Sequence, residues 1–323
     1  MAIEAVRIPT TAARQLTNTL LMISPDQFGF NDQTAGTNTF QNSPDELPII
    51  VRDKALAEFY GTVVALRHHG VEVVVCPTRT DVSTPDAVFP NNWISFHSEL
   101  EKVDVILYPM LAPNRRAERQ FDRVKSLMFW MAIDPKRVLD LTVLERAGQF
   151  LEGTGSLVFD RRNKVVFAHE SARTSYGALD VFCDRTGYQS VKFHAFDKED
   201  RPIYHTNVVM GIGEGFSVVC LESIRDLKER RTVEGSLKDL ELEVVDITLD
   251  QLHAFCGNVL EVRSTSGVSK IILSVNAFDA FTNAQRNTLM SYGELIPVEI
   301  NTIETVGGGS ARCVVAEVFP GRV

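Results

Sequence analysis

The stretch Val306-Gly307-Gly308-Gly309-Ser310-Ala311-Arg312-Cys313 runs directly into Val314-Val315-Ala316-Glu317-Val318. A glycine run, an arginine and a cysteine meet a strand-like segment there. Glycine lets the backbone take positive φ and pass close to another group. A thiol beside a fixed cation is one whose pKa falls, which makes it a nucleophile. Taken alone the stretch favours a buried structural cysteine after a turn, because cysteine is among the most buried residue types. The rest of the chain has to choose between the two.

The bulk composition narrows the classes. The chain has 323 residues, enough for one large domain or two ordinary ones. Hydrophobic residues make up 44% and charged residues 23%, as in ordinary globular proteins. A formal charge of −9 and the absence of any Lys/Arg-rich block argue against nucleic acid as a partner. Cys76, Cys183, Cys220, Cys256 and Cys313 are odd in number and contain no CxxC pair, so they form neither a disulfide framework nor a zinc set. Met1-Ala2-Ile3-Glu4 lacks a basic start and an apolar core, so no signal peptide is expected. No apolar run approaches the roughly 20 residues that span a bilayer. These features point to a reducing cytoplasm and to no membrane partner.

Short β-rich runs alternate with helical stretches and turns. Strands are expected at 19–23, 72–76, 93–97, 104–107, 157–160, 165–168, 208–213, 216–221, 259–264, 271–275, 298–300 and 314–318. Helices are expected at 53–69, 116–130, 175–186, 223–233, 249–255 and 282–292, with Gly187 and Gly293 as closing glycines. A few strands and a helix recur about every 50–60 residues, a spacing that suits a propeller or another repeat architecture. No sequence self-similarity supports it.

Four further segments interrupt strand-like runs with polar residues. Pro85-Asp86-Ala87-Val88-Phe89-Pro90-Asn91-Asn92-Trp93 is a good turn in its own right. Glu152-Gly153-Thr154-Gly155-Ser156 sets a carboxylate before a Gly-x-Gly loop. In Ser171-Ala172-Arg173-Thr174-Ser175, Thr174 or Ser175 suits a helix N-cap and Arg173 a solvated charge. In Tyr204-His205-Thr206-Asn207, His205 and Asn207 share a face if the segment is extended. Together these supply a thiol, an imidazole, a carboxylate, amides and an arginine. Cysteine and histidine pair in acyl- and amidine-type transfers, where the thiolate attacks and the imidazole protonates the leaving amine.

The order and spacing of these segments resemble the guanidine-modifying, or pentein, superfamily, over nearly the whole chain from Ser24 through Cys313. The most similar group is that of citrulline-utilisation hydrolases, or amidinotransferase-like proteins, related to arginine deiminases and dimethylarginine dimethylaminohydrolases. The resemblance implies an α/β fold, a five-bladed propeller with pseudo-fivefold symmetry, as one catalytic domain over 1–323. It implies Cys313 as nucleophile, His205 as general acid/base and Glu152 as the group that binds substrate nitrogen. Arg173 matches an arginine that recognises the substrate carboxylate, and Asn92, Asn207, Asp86 and Asn91 complete the substrate-binding set. No metal or cofactor is implied. The partner is a small amino-acid substrate, and a homo-oligomer is compatible.

This sequence departs from the deiminase pattern in polarity. Asn92 and Asn207 stand where deiminases carry acids, and Gly155 replaces the final Asp of Glu-Gly-Gly-Asp. A guanidinium offers only donors and a positive charge, whereas a ureido oxygen needs a donor, which an asparagine amide supplies. A ureido substrate such as citrulline is therefore expected in preference to arginine. The products would be ornithine, carbon dioxide and ammonia. A guanidine hydrolase, an amidinotransferase and a non-catalytic binding protein on the same fold are the alternatives.

Overall fold

The computed structural model describes residues 14–98, 100, 105–130, 133 and 137–319. Asp104, assigned to a strand above, and the N-terminal Met1–Glu4 lie outside them. The fold is mixed α/β and is built from five three-stranded sheets of one topology. The first joins β1 (Thr19–Ile23) and β2 (Glu72–Cys76) to β15 (Ala316–Val318), so the first and last strands share a sheet. The others are β3 (Ile94–Phe96), β4 (Val105–Leu107), β5 (Val138–Asp140); β6 (Val158–Asp160), β7 (Val165–His169), β8 (Gln189–Phe193); β9 (Met210–Ile212), β10 (Phe216–Val219), β11 (Glu243–Asp246); and β12 (Leu260–Arg263), β13 (Ser269–Ser274), β14 (Glu294–Val298).

In every sheet the middle strand pairs antiparallel on one side and parallel on the other. A parallel neighbour needs a crossover, and each crossover carries one helix of ten residues or more. These are α1 (Pro48–His68), α2 (Phe121–Trp130), α3 (Tyr176–Thr186), α4 (Leu227–Asp239) and α5 (Asn283–Tyr292). Each helix turns a short apolar face onto its sheet. Val51, Ala55, Phe59, Val63 and Leu66 do so in α1, and Ala178, Leu179 and Phe182 in α3. Tyr60 and Val64 on the same helix are exposed. Helix α1 also begins earlier than its periodicity suggests, with Pro48 in its first turn, where a missing N–H costs nothing.

The first strands of successive sheets adjoin: β15 lies against β3, β6 against β9, and β9 against β12. They are buried almost throughout, whereas the outer strands β5, β8 and β11 are largely exposed or half-exposed. Exposure explains why β5, β8 and β11 escape the hydrophobic pattern and why the last sheet's third strand is at Glu294–Val298 rather than 298–300. Gly187 closes α3 in the left-handed conformation as expected, but Gly293 is extended.

Candidate active site

Each buried first strand is preceded by a tight turn, and the turns converge. They are Pro90–Asn92, Gly153–Ser156, Thr206–Val209 and the segments 255–258 and 310–314. Asn92, Gly155, Asn207, Asn258 and Cys313 each stand two or three residues before their strand. Thr206–Val209 is a helical turn with His205 as its extended N-cap, so the expected continuous strand from 208 is replaced by a turn followed by β9.

The glycine run has a different purpose at each position. Gly308 alone has positive φ, at 65°. A Cβ on Gly307 or Gly309 would come within 2.7 or 2.9 Å of the Phe89 ring. Asn38 donates to the Gly308 carbonyl at 3.2 Å and Gln41 to the Val306 carbonyl at 3.4 Å, so the segment 34–41 lies on the run. The Tyr204 hydroxyl also donates to Gly308.

Cys313 is 3% exposed. Its Sγ lies 3.5 Å from Asn207 Nδ2 and 3.3 Å from Asn258 Nδ2. Burial pushes the thiol pKa up, opposed by the Ser310 backbone, by the two amides and, least, by Arg312. This corrects the sequence expectation for Arg312. Its guanidinium turns to Glu317 at 2.6 Å and to the Val315 carbonyl, and the thiol is not the activated group that adjacency suggested.

Glu152 and His205 face each other. His205 Nε2 donates to Glu152 Oε2 at 2.9 Å, and the Leu111 N–H donates to Oε1 at 3.1 Å. Arg115 and Arg173 each place a guanidinium nitrogen 3.7 Å from the same carboxylate. Burial would raise the Glu152 pKa, but Arg173, His205 and Arg115 outweigh it and hold it at about 2. Burial drives His205 down to about 4 against the pull of Glu152. At neutral pH the site therefore holds a neutral thiol, a neutral imidazole and an ionised glutamate. The His205 ring also stacks 4.7 Å from Tyr204, and Arg173 sits over the Tyr204 ring at 5.1 Å.

Asp86, Asn91, Asn92 and Arg173 are all buried. Asn92 Oδ1 accepts from Arg115 NH1 at 2.8 Å, which leaves its Nδ2 without a partner. Asp86 accepts from Asn31 at 2.6 Å and Thr34 at 3.2 Å while its other oxygen is unpartnered. Neither side-chain atom of Asn91 has a hydrogen bond. Gly155 is bare for a reason: a Cβ there would lie 2.5 Å from Asn92 Nδ2 and 2.7 Å from the His205 ring. Arg173 bonds to Thr37 and Thr34 of the overlying segment.

Sequence reasoning missed Asn258, Arg115 and Glu118. Arg115 forms a two-pronged pair with Glu118 at 2.9 and 3.0 Å, and burial raises Glu118 to about 7. No signal in the Arg-rich 115–119 stretch separates this fully buried arginine from Arg116 and Arg119, which are half-buried and pair with Glu145. Asn258 did carry a trace: Asn258-Val259-Leu260, Asn207-Val208-Val209 and Cys313-Val314-Val315 share one pattern. Among the described residues no group of three or more His, Cys, Asp or Glu could hold a metal ion.

A second buried histidine behaves like His205. His169 accepts from the Ala195 N–H and donates to the Ile203 carbonyl, and burial lowers it to about 4. An unfolded histidine titrates near about 6.5, so each ring stabilises the fold fully above that pH and loses its contribution as pH falls toward its folded value. Ring NMR is expected to show both imidazoles neutral from pH 7.5 down to about 5. A midpoint near 6.5 for His205 would contradict this electrostatic picture.

The family model described as N,N dimethylarginine dimethylhydrolase, eukaryotic, matches residues 24–320. The chain belongs to this dimethylhydrolase family. The wider pentein, or guanidine-modifying, superfamily is thereby the correct setting, and by family the chain is a cysteine-dependent hydrolase of non-peptide C–N bonds. No curated protein sequence matches the chain. Among solved structures, the N-terminal domain of ArgZ bound covalently to a reaction intermediate superposes with a TM-score of 0.70 at 16% identity, covering 94% of this chain and 98% of that one. ArgZ is an arginine dihydrolase of the cyanobacterial ornithine–ammonia cycle. AgrE in complex with L-arginine gives 0.71 at 16%, covering 94% of this chain but 40% of AgrE. A dimethylarginine dimethylaminohydrolase adduct with S-methyl-L-thiocitrulline gives 0.63 at 14%, covering 94% and 99%. At these identities the likeness carries the fold of this dimethylhydrolase-family member and nothing finer.

Proposed function

We propose that this protein hydrolyses the C–N bond of a ureido amino acid, citrulline being the favoured substrate, through a covalent adduct on Cys313. The observation that carries the ureido reading is the Asn92 amide. Arg115 occupies its oxygen, so a buried N–H₂ donor with no partner is what Asn92 has left to offer a ligand. That donor suits a carbonyl oxygen and disfavours a guanidinium, which has only donors.

In this reading the neutral Cys313 thiol gives its proton to His205 as sulfur attacks the ureido carbon. The imidazolium, stabilised by Glu152, then protonates the departing amine, and ornithine leaves. Water adds to the carbamoyl-cysteine with His205 now acting as base, and the released carbamic acid breaks down to carbon dioxide and ammonia. Arg173, with Asp86 and Asn91, would hold the amino-acid end. The five sheets are then five blades of one propeller over 1–323, with the converging turns at its centre. A cytoplasmic setting suits the five free thiols.

A guanidino substrate is the second reading, favoured by the unpartnered Asp86 oxygen and by the names of the family and its structural neighbours. A product assay against citrulline, arginine, methylated arginines and succinylarginine separates the two. Ornithine and ammonia from citrulline are expected, and turnover of arginine alone would overturn the ureido reading. A new guanidino product in the presence of an acceptor amine would point to an amidinotransferase instead. Asn92→Asp combined with Asn207→Asp is expected to shift kcat/KM from citrulline toward arginine by about tenfold or more, since one hydrogen bond to a charged group contributes about 1.5–3 kcal/mol. An unchanged ratio would count against the polarity argument.

A further inference from the structure

We infer that Asn258, on the turn before β12, is a catalytic residue that holds the Cys313 thiolate by donating a hydrogen bond to its sulfur. The inference rests on the reading of Cys313 as nucleophile. The orientation of the Asn258 amide is set by two bonds besides the thiol. Its Oδ1 accepts the Arg312 backbone N–H at 2.9 Å, and its Nδ2 donates to the Asn207 carbonyl at 2.8 Å. Reversing the amide would place a donor against the Arg312 N–H and an acceptor against a carbonyl. The nitrogen is therefore held as the amide atom nearer to Sγ, at 3.3 Å against 3.6 Å for Oδ1, and it is nearer than the Asn207 nitrogen at 3.5 Å.

The local backbone is shaped to bring this amide there. Phe255 takes a left-handed φ of 61°, uncommon for a bulky residue. A Cβ on Gly257 would lie 2.4 Å from the Val208 carbonyl, so only glycine lets this turn approach the 206–209 turn. Asn258 is 1% exposed, which keeps water from replacing its hydrogen bond. With Arg312 turned to Glu317, the side-chain donors that reach the sulfur are the amides of Asn207 and Asn258. A thiolate formed during turnover has these two donors in place of solvent, and hydrogen bonds to an ionised acceptor are the strong ones.

Two substitutions in the full-length protein separate this role from a structural one. Asn258→Asp keeps the acceptor for the Arg312 N–H but removes the donor and adds a like charge beside the thiolate. Asn258→Ala removes both groups. The readout is the ultraviolet absorbance of the thiolate against pH, taken as the difference between each protein and its Cys313→Ser form, with circular dichroism confirming the fold. The Cys313 midpoint is expected to rise by about one to two pH units in Asn258→Ala, and further in Asn258→Asp. A wild-type midpoint in Asn258→Asp with a disturbed one only in Asn258→Ala would show that Asn258 merely holds Arg312, and would overturn the inference. Wild-type midpoints in both would overturn it equally. If Asn258→Ala does not fold, the isosteric Asn258→Asp decides alone. Failure of the nucleophile reading shows elsewhere, as activity retained without the thiol.

Discussion

Cys313→Ala is expected to lower turnover by about 10⁵-fold or more, the scale on which removal of a covalent nucleophile acts. The sulfur stands where five turns converge and is touched by two amides, whereas the Cys256 thiol on the neighbouring 255–258 turn is directed to the Ala277 carbonyl. The substitution removes one buried atom and leaves the Asn258 bonds to the Arg312 N–H and the Asn207 carbonyl intact. Thermal stability should therefore change by no more than a few degrees. Ammonia and ornithine release measured beside a melting curve tests both halves. Activity within tenfold of wild type would remove Cys313 from the mechanism. If Cys313 and His205 act as a unit, the Cys313→Ala, His205→Ala double variant should be no slower than Cys313→Ala alone.

Glu152→Ala carries the second large effect, on stability as well as rate. Its carboxylate is the anion faced by Arg173, Arg115 and His205 within one buried site. Removing one partner from such a cluster leaves buried positive charge uncompensated, a loss of about 3–5 kcal/mol. Turnover should fall by about 10²–10⁴-fold, because His205 loses the group that orients it and stabilises its protonated form. Glu152 is held at about 2, below its unfolded value, so its contribution is complete above that unfolded value and is lost as pH falls toward 2. Urea unfolding should show the full gap between wild type and Glu152→Ala at pH 7 and a shrinking gap below about pH 4. A constant gap, or none, would mean that the carboxylate is not the charge partner its geometry indicates.

Much of this was legible before folding was considered. The buried first and middle strands announce themselves because burial on both faces demands β-branched and aromatic residues. The outer strands β5, β8 and β11 do not, since Glu243–Asp246 and its counterparts face solvent and need only pair. The motifs around Asn92, Glu152, Arg173, His205 and Cys313 stood out because amides, charges and glycines interrupt those runs. Arg312 shows the limit of reading by adjacency. Neighbouring residues on an irregular turn project in different directions, and this guanidinium left the thiol for Glu317. Arg115 shows the converse: an unremarkable arginine becomes the group that orients Asn92 once it is buried with Glu118.

Local pattern alone was enough for the sheet-and-helix alternation and for the family, because turn chemistry, hydrophobic patterning and motif spacing are properties of short segments. Which atoms meet was settled by the tertiary structure. Glu152 reaches His205 across 53 residues and Asn258 reaches Cys313 across 55. Such contacts exist only once successive sheets adjoin and their turns converge. The same closure excludes water, and exclusion of water is what raises the thiol pKa, lowers that of the imidazole and leaves the Asn92 Nδ2 without a partner.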